Sequence, residues 1–273
     1  MNFIASALAA CLFIFTAAAP VAAQNPDPDR QLDLGQPDFT LSALPTTLRL
    51  PAGAFAFRLT HRFTRPIDSG TTGDFFRDFF GFDGASRIGI ELRYGLRPGT
   101  QVAVHRTNDR AIQLSGQQTV LRQNDSRWIG VDGVLAVEGA DNFTENYSGT
   151  IGAVVSHVFA GHGALYAHPL YVWNVGAAPL DTGGQDWTAA VGFGARWRLG
   201  GSHVYVVAEA APQVAGTTDR VDHVSFGIER RSGGHMFQFT VANALGTTYR
   251  QVVNGGANRG DWYVGFNLSR KFY

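Results

Sequence analysis

The chain has 273 residues, and its 22 basic and 22 acidic side chains give a formal net charge of zero. This balance gives no reason to expect nucleic acid or a polybasic membrane contact as a partner. The 33 glycines and 20 phenylalanines are typical of a chain built from aromatic-rich strands, and the length suits one barrel or one large sandwich.

The N-terminus has the pattern of a targeting segment. Residues 3–19 are apolar, and Val21-Ala22-Ala23 resembles a small-residue cleavage site. The polar residues that follow come too soon for a membrane-spanning helix of about 20 residues. The sequence therefore predicts a signal peptide at 1–23. The single cysteine, Cys11, lies within it, so a mature chain has no thiol for a disulfide or for cysteine catalysis.

Residues 24–52 contain five prolines and little periodicity, which predicts a periplasmic leader. Residues 53–273 alternate between apolar and polar side chains in many short segments, as strands with one apolar face do. These segments predict an all-β, transmembrane, antiparallel up-and-down barrel of about twelve strands. The predicted strands are Ala54–Thr64, Ser86–Leu96, Thr100–Thr107, Ala111–Leu121, Trp128–Glu138, Tyr147–Phe159, Leu165–Trp173, Trp187–Leu199, His203–Ala211, His223–Arg231, Met236–Ala244 and Asp261–Phe272.

The connections alternate between short glycine turns and long loops. Short turns on one side and long loops on the other are typical of outer-membrane barrels, with the short turns periplasmic. Two Gly-Gly pairs also predict hairpin registers in which apolar residues face each other. The predicted pairs are Trp197 with Val204, Ala195 with Val206, Ile228 with Phe239, and Phe226 with Val241.

The last strand alternates up to an aromatic residue, as the final strand of outer-membrane barrels usually does. We therefore expect Gly265, Phe266, Leu268 and Phe272 to form a C-terminal signal for the barrel-assembly machinery. The expected location is the outer membrane of a Gram-negative bacterium, with outer-membrane lipid around the wall.

Several short motifs occur in a fixed order along the mature chain. They are Phe79-Phe80-Gly81-Phe82-Asp83, Tyr94-Gly95, Val120-Leu121-Arg122-Gln123, Ser225-Phe226-Gly227-Ile228-Glu229, Gly233-Gly234-His235-Met236-Phe237-Gln238 and Gly265-Phe266-Asn267-Leu268-Ser269-Arg270. Over about residues 54–273 the chain resembles a family of uncharacterised outer-membrane barrels named for a domain of unknown function, number 5777. The resemblance implies a barrel and an outer-membrane location, and it supplies no activity or catalytic residue.

The polar phase of the strands carries charges of both signs, which we expect to face the lumen. Two interpretations stay open: a network of paired side chains that fills a narrow barrel, or a constriction that selects solutes by charge. The candidate lumen residues are Arg58, Arg62, Arg87, Glu91, Arg93, Arg196, Glu209 and Glu229, with Asp132 and Glu138 on the same phase.

One long connection is unusually rich in phenylalanine. Five such side chains within eight residues should not remain in water, so the loop is predicted to fold over the barrel mouth as a lid or to contact a partner or lipid. The five are Phe75, Phe76, Phe79, Phe80 and Phe82.

No pattern predicts catalysis, a metal or a cofactor. His162, His203 and His235 fall at separate turns, roughly 10 Å apart at an interstrand spacing of about 4.8 Å, which is too far to share a zinc ion. Ser156 and His157 are adjacent, so a strand points them to opposite faces. We expect a structural membrane protein or a narrow passive channel. The alternative is a scaffold that holds a periplasmic or surface partner through the leader or the long loops.

Overall fold

The computed structural model describes residues 27–30, 33–67, 69, 73, 84–176, 186–217 and 220–272. The predicted signal peptide and the five phenylalanines of the predicted lid lie outside these residues. In the part described, no helix is long and apolar enough to cross a membrane.

The described residues form thirteen strands, a 3₁₀ turn at Pro28–Arg30 and a helix, α1, at Tyr249–Asn254. The strands are β1 Phe55–Phe63, β2 Ser86–Arg97, β3 Thr100–Thr107, β4 Ile112–Leu121, β5 Gly130–Ala140, β6 Glu145–Phe159, β7 Gly163–Trp173, β8 Trp187–Arg198, β9 Val204–Ala211, β10 Gln213–Gly216, β11 His223–Ser232, β12 His235–Ala242 and β13 Tyr263–Phe272.

Twelve of these strands close into a barrel. Each pairs antiparallel with its neighbours, and β1 pairs with β13 to complete the ring. The four-residue strand β10 pairs with β8 beside β9 and lies outside this count. The predicted twelve-stranded antiparallel barrel is confirmed, with every strand within two residues of its predicted bounds.

The alternation of side chains separates the two faces of the wall. On β11, Phe226 and Ile228 are 53% and 57% exposed on the outside, whereas Ser225 and Glu229 are 0% and 1% exposed inside. Aromatic rings stack across strands on the outer face, for example Phe55 on Phe272 with 4.4 Å between ring centroids. The outer face is therefore apolar and aromatic, as a wall in contact with lipid requires.

The two predicted hairpin registers had different outcomes. The pairing of Ile228 with Phe239 is confirmed, as is that of Phe226 with Val241. The other register was wrong by two residues, because Trp197 pairs with Val206. The turn is longer than the Gly-Gly pair, since the Leu199 N–H donates to the Val204 carbonyl at 2.9 Å. A two-residue shift keeps apolar side chains on the same face.

Two ends of the barrel can now be distinguished. The short-turn end carries Pro98-Gly99, residues 122–129, residues 160–162, residues 199–203 and Gly233-Gly234, and the N-terminal segment joins β1 there. The long-loop end carries the other connections, including α1. Both α1 and β10 lie in segments for which the sequence predicted only loops.

The predicted leader needs correction. Residues 35–48 are buried almost without interruption, and their contacts are with the inward face of the barrel rather than with solvent. Three prolines in 37–51 prevent a regular strand. The irregular backbone must therefore find hydrogen-bond partners among lumen side chains.

Candidate functional site

The most distinctive site is the lumen, which residues 36–52 occupy. We call this segment the plug and residues 41–44 the plug tip. The tip is a tight turn in which the Leu41 N–H donates to the Leu44 carbonyl at 2.8 Å. Both leucines are fully buried. Gly95 of the wall allows the plug backbone to approach, because a side chain there would collide with the Pro51 carbonyl.

The carboxylate of Glu209 binds backbone N–H groups of the plug tip. Those of Ser42, Ala43 and Leu44 donate to its oxygens at 3.0, 2.9 and 3.1 Å. His223 Nε2 donates to the same carboxylate at 2.9 Å. Successive N–H groups aimed at one point form an anion-binding nest, so a wall carboxylate recognises the backbone of the tip.

Arginines hold the other side of the same turn. The Ser42 carbonyl accepts hydrogen bonds from Arg58, from Arg62 Nη2 at 3.3 Å and from Asn267 Nδ2 at 3.1 Å. Arg62 also donates to Asn267 Oδ1 at 2.8 Å. The tip is thus bound at its N–H groups by an anion and at a carbonyl by cations.

A buried ion pair fixes the part of the plug that precedes the tip. Arg196 donates to both oxygens of Glu229, at 2.7 and 2.8 Å. The same guanidinium donates to the carbonyls of Asp38 at 3.1 Å and Thr40 at 2.6 Å. One bidentate pair therefore orients an arginine whose remaining donors bind plug peptide groups.

Glutamine, histidine and hydroxyl side chains hold the part of the plug that follows the tip. Gln101 donates to the Leu48 carbonyl at 3.0 Å and accepts from the Leu50 N–H at 3.1 Å. His168 Nε2 donates to the Pro45 carbonyl at 2.6 Å. The hydroxyls of Thr47 and Ser156 lie 2.6 Å apart.

At the short-turn end, Asp29 fastens the plug to the wall. Its carboxylate accepts from Arg122 at 2.7 Å, from Arg49 at 3.3 Å and from the Gly99 N–H at 3.0 Å. Burial acts to raise the pKa of Asp29, but its bonds to Arg122 and Gly99 and the nearby positive charges outweigh this and lower that pKa. Arg49 also pairs with the lumen residue Asp132 at 2.8 Å.

At the long-loop end, α1 enters the lumen. Thr248 caps the helix by accepting from the Gln251 N–H, and Tyr249, Val252 and Val253 are buried. They share one hydrophobic cluster with Leu41, Ala43 and Leu44 of the plug tip. Burial raises the pKa of Tyr249 to about 12. The plug and α1 therefore meet from opposite ends.

Polar cavities remain at both ends. The cavity at the long-loop end has a volume of about 400 Å³ and is lined by Arg87, Asp109 and Arg250, among others. The cavity at the short-turn end is about 630 Å³ and is lined by Gln36, Arg49 and others. Among the described residues, none lines both cavities. The plug and α1 lie between them.

The structure divides the predicted lumen residues. Seven of the eight are buried inside the barrel, and two pairs of them bind each other: Arg196 with Glu229, and Arg93 with Glu91 at 2.8 Å. Arg87 instead lies partly exposed at the long-loop rim, paired with Asp109 at 2.6 Å. The lumen residues without a partner among themselves are Arg58, Arg62 and Glu209, and these are the ones that hold the plug tip.

Sequence reasoning did not find the plug, although a signal was present. The predicted leader contains Phe39, Leu41, Leu44, Leu48 and Leu50. Large apolar side chains at this frequency are not expected in a segment that stays in water. All five are buried.

Two further predictions concern chemistry. Ser156 faces the lumen, where it bonds to Thr47, whereas His157 lies on the outside and bonds to the Trp128 carbonyl at 2.6 Å. The pair therefore cannot act together. Among the described residues there is no group of three or more histidine, cysteine or acidic side chains that could hold a metal ion.

A family model and a solved channel structure share this architecture. A family model described as a membrane-bound β-barrel domain, DUF5777, matches residues 38–272. Among solved structures, the COG4313 outer-membrane channel from Pseudomonas putida F1 aligns with a TM-score of 0.50 and 11% identity, over 82% of this chain and 97% of that one. The KdgM porin aligns with a TM-score of 0.48 and 6% identity, over 81% and 99%. No curated protein matches the sequence.

Proposed function

Since the chain belongs to the family of membrane-bound β-barrel domains that its residues 38–272 match, we propose that it is a narrow passive channel of the bacterial outer membrane, closed by its own plug. The short-turn end faces the periplasm, as in barrels of this class. The plug then closes the lumen from the periplasmic side.

The contact between Glu209 and the plug tip carries this proposal. A barrel with a purely structural role can fill its lumen with side chains of the wall itself. Here a separate segment fills it, held by hydrogen bonds to its peptide groups and continuous with the wall at residue 53. If the plug leaves, its polar groups and the lumen charges can both be hydrated, so release exposes a polar path that carries charges of both signs.

The position of the plug argues against the alternative in which the leader holds a partner. Residues 35–48 are buried and cannot bind a second protein while they fill the lumen. The long loops remain available for such a role. A catalytic role has no support from the geometry of Ser156 and His157.

Planar-bilayer conductance tests the proposal. Wild type should conduct almost no current, and a variant with residues 36–50 replaced by a Gly-Ser linker should give steady ion currents. A heat-dependent gel shift would first establish that both are folded barrels. Equal, negligible conductance of the two folded proteins would show that the plug is not what closes the lumen.

A crosslink provides the matched control. The hydroxyls of Thr47 and Ser156 are close enough for the double variant Thr47→Cys/Ser156→Cys to form a disulfide. In a Glu209→Ala background, the oxidised protein should stay closed and the reduced protein should open. Openings of the same frequency in both states would contradict a mobile plug.

We also propose that β13 directs assembly. Phe272 stacks on Phe55 where the barrel closes, and Phe266 stacks on His61 with 4.8 Å between centroids. Loss of Phe272 and Tyr273 should lower the amount of barrel in the outer membrane, whereas Val120→Ser, on the exposed outer face, should not. Membrane fractionation distinguishes the two outcomes.

A further inference from the structure

The outer wall carries few charges, and two of them lie together. Among the described strands, the arginines on the outward phase are Arg106, Arg230 and Arg270. Arg230 lies on β11 and Arg270 on β13, and β12 runs between them. Both are near the short-turn end.

The strand register brings a third basic residue into the group. On β12, His235 pairs with Arg270, and Phe237 pairs with Arg230. Arg230 is level with Leu268, two residues from Arg270, so two interstrand spacings and two residues of rise place the two arginine backbones about 12 Å apart, a distance that two long side chains can bridge. No acidic residue among those described pairs with either arginine.

Aromatic rings surround this basic group. The guanidinium of Arg270 lies over the Phe272 ring, 4.7 Å from its centroid. The rings of His235 and Phe237 stack with 6.2 Å between centroids. Such a layer of rings and cations is typical of the level where a membrane wall meets the lipid headgroups.

An apolar groove continues from the arginine toward the membrane interior. It has a volume of about 470 Å³, and its lining includes Arg230, Phe237, Phe239, Phe266 and Leu268. A cation at one end of an apolar groove matches a molecule with an anionic head and a hydrocarbon tail. A surface that only touches bulk lipid needs no such unpaired cations.

Arg106 is an outward-facing arginine that lies outside this basic group. It lies near the opposite end of the barrel and donates to the Asn142 side-chain oxygen at 2.8 Å. Its hydrogen bonding is thus supplied by the protein itself. It provides a control of the same residue type on the same face.

We propose that Arg230, His235 and Arg270 bind the phosphate of an anionic phospholipid in the periplasmic leaflet, with an acyl chain in the groove. Guanidinium groups bind phosphate oxygens in pairs of parallel hydrogen bonds. The ligand's phosphate lies at the level of the aromatic rings, and its chain follows the wall past Phe237 and Phe239.

Native mass spectrometry of the full-length mature barrel tests this site. The protein is released from micelles containing equal amounts of dioleoylphosphatidylglycerol and dioleoylphosphatidylcholine. Wild type should retain phosphatidylglycerol in preference to phosphatidylcholine. Arg230→Gln/Arg270→Gln should lower that retention about 25-fold, at about five-fold for each surface cation, while Arg106→Gln should leave it unchanged.

A charge-preserving variant separates guanidinium recognition from attraction alone. Arg230→Lys/Arg270→Lys keeps both charges and loses the paired hydrogen bonds, so its retention should fall between wild type and the double glutamine variant. A gel shift on heating confirms that each variant is a folded barrel before lipids are compared.

Three results would overturn the proposal. The double glutamine variant could retain phosphatidylglycerol like wild type, which means that the arginines are only solvated. Arg106→Gln could lose as much lipid, which means that charge acts without a site. Wild type could instead form a dimer that the double variant lacks, with equal lipid retention, which makes the patch a contact between copies of this chain.

Discussion

Most polar contacts that hold the plug are made to its peptide groups, and its leucines add apolar contacts, whereas α1 is held mainly through buried side chains. Glu209, Arg196 and Arg62 bind N–H and carbonyl groups of the plug. In α1, Tyr249, Val252 and Val253 enter a hydrophobic cluster. The two ends of one lumen are thus closed by different chemistry.

This difference has consequences for opening. Water can replace hydrogen bonds to peptide groups, so the net stabilisation from each is only about 0.5–1.5 kcal/mol, rising to about 1.5–3 kcal/mol where one partner is charged. Buried apolar surface loses its stabilisation whenever it meets water, and this cost applies to the leucines of the plug as well as to α1. The helix α1 is also tied to the wall on both sides, by β12 and β13. We therefore expect the plug to be the part that can leave, and α1 the part that stays.

The largest expected effect is on the ion pair beneath the plug. Arg196→Ala leaves Glu229 as an uncompensated buried charge, which should lower the free energy of unfolding by about 3–5 kcal/mol. Arg87→Ala breaks a pair whose side chains are 31% and 32% exposed, so it should cost about 0–1 kcal/mol. Urea unfolding followed by tryptophan fluorescence measures both.

A second substitution tests the physical cause of that effect. Adding Glu229→Gln to Arg196→Ala removes the stranded charge and should recover part of the loss. Equal losses for Arg196→Ala and Arg87→Ala would instead mean that water reaches the plug as freely as it reaches the rim.

The next effect concerns the plug tip. Glu209→Gln replaces a carboxylate that accepts three N–H groups with a neutral amide that has one acceptor oxygen, and the loss should be about 2–3 kcal/mol. An Ala43→Cys probe, inaccessible in the closed protein, should then react with a maleimide. Glu138→Gln is the control near α1, because that carboxylate lies 3.9 Å from Arg250 and does not contact the tip. Equal labelling in both backgrounds would contradict a specific role for Glu209.

The wall of the barrel could be predicted from the sequence, and the reason is local. Alternation on β11 places Phe226 outside and Glu229 inside whatever the rest of the chain does. The ladder between Ile228 and Phe239 follows from a two-residue turn. The wrong register at Trp197 has a local cause too, since nothing in Gly200-Gly201 alone fixes how many residues the turn contains.

The plug could not be placed in this way, because its contacts are long-range and involve its backbone. Ser42 has no side-chain pattern that pairs it with Glu209, which is 167 residues away. Any residue except proline could supply the same N–H group. Arg58, Arg62 and Glu209 were predicted to face the lumen, but their partner could not be named from side-chain types.

A smaller effect is expected at α1. Thr248→Ala removes the N-cap of the helix and should lower the free energy of unfolding by about 1 kcal/mol. The matched control is Thr247→Ala, because the buried Thr247 hydroxyl has no hydrogen-bond partner among the described residues. Neither change should expose Ala43→Cys to the maleimide, and labelling after Thr248→Ala would show that α1 holds the plug in place.

The smallest expected effect is at the short-turn end of the plug. Asp29→Asn weakens contacts with Arg49 and with the partly exposed Arg122, so the loss should be about 0.5–1 kcal/mol at neutral pH. Asp125→Asn, in the exposed turn between β4 and β5, should have no effect.

The pH dependence of that loss has a definite sign. Folding lowers the pKa of Asp29 below its ordinary value of 3.8. A lowered carboxyl pKa stabilises the folded state fully above that ordinary value, and the contribution is lost as the pH falls through the folded pKa. Unfolding free energies at a series of pH values should therefore show a constant difference between wild type and Asp29→Asn at pH 5–8 that shrinks below about pH 4. A difference that grows on acidification would mean that folding raises this pKa and that Arg49 and Arg122 do not hold Asp29 in its ionised form.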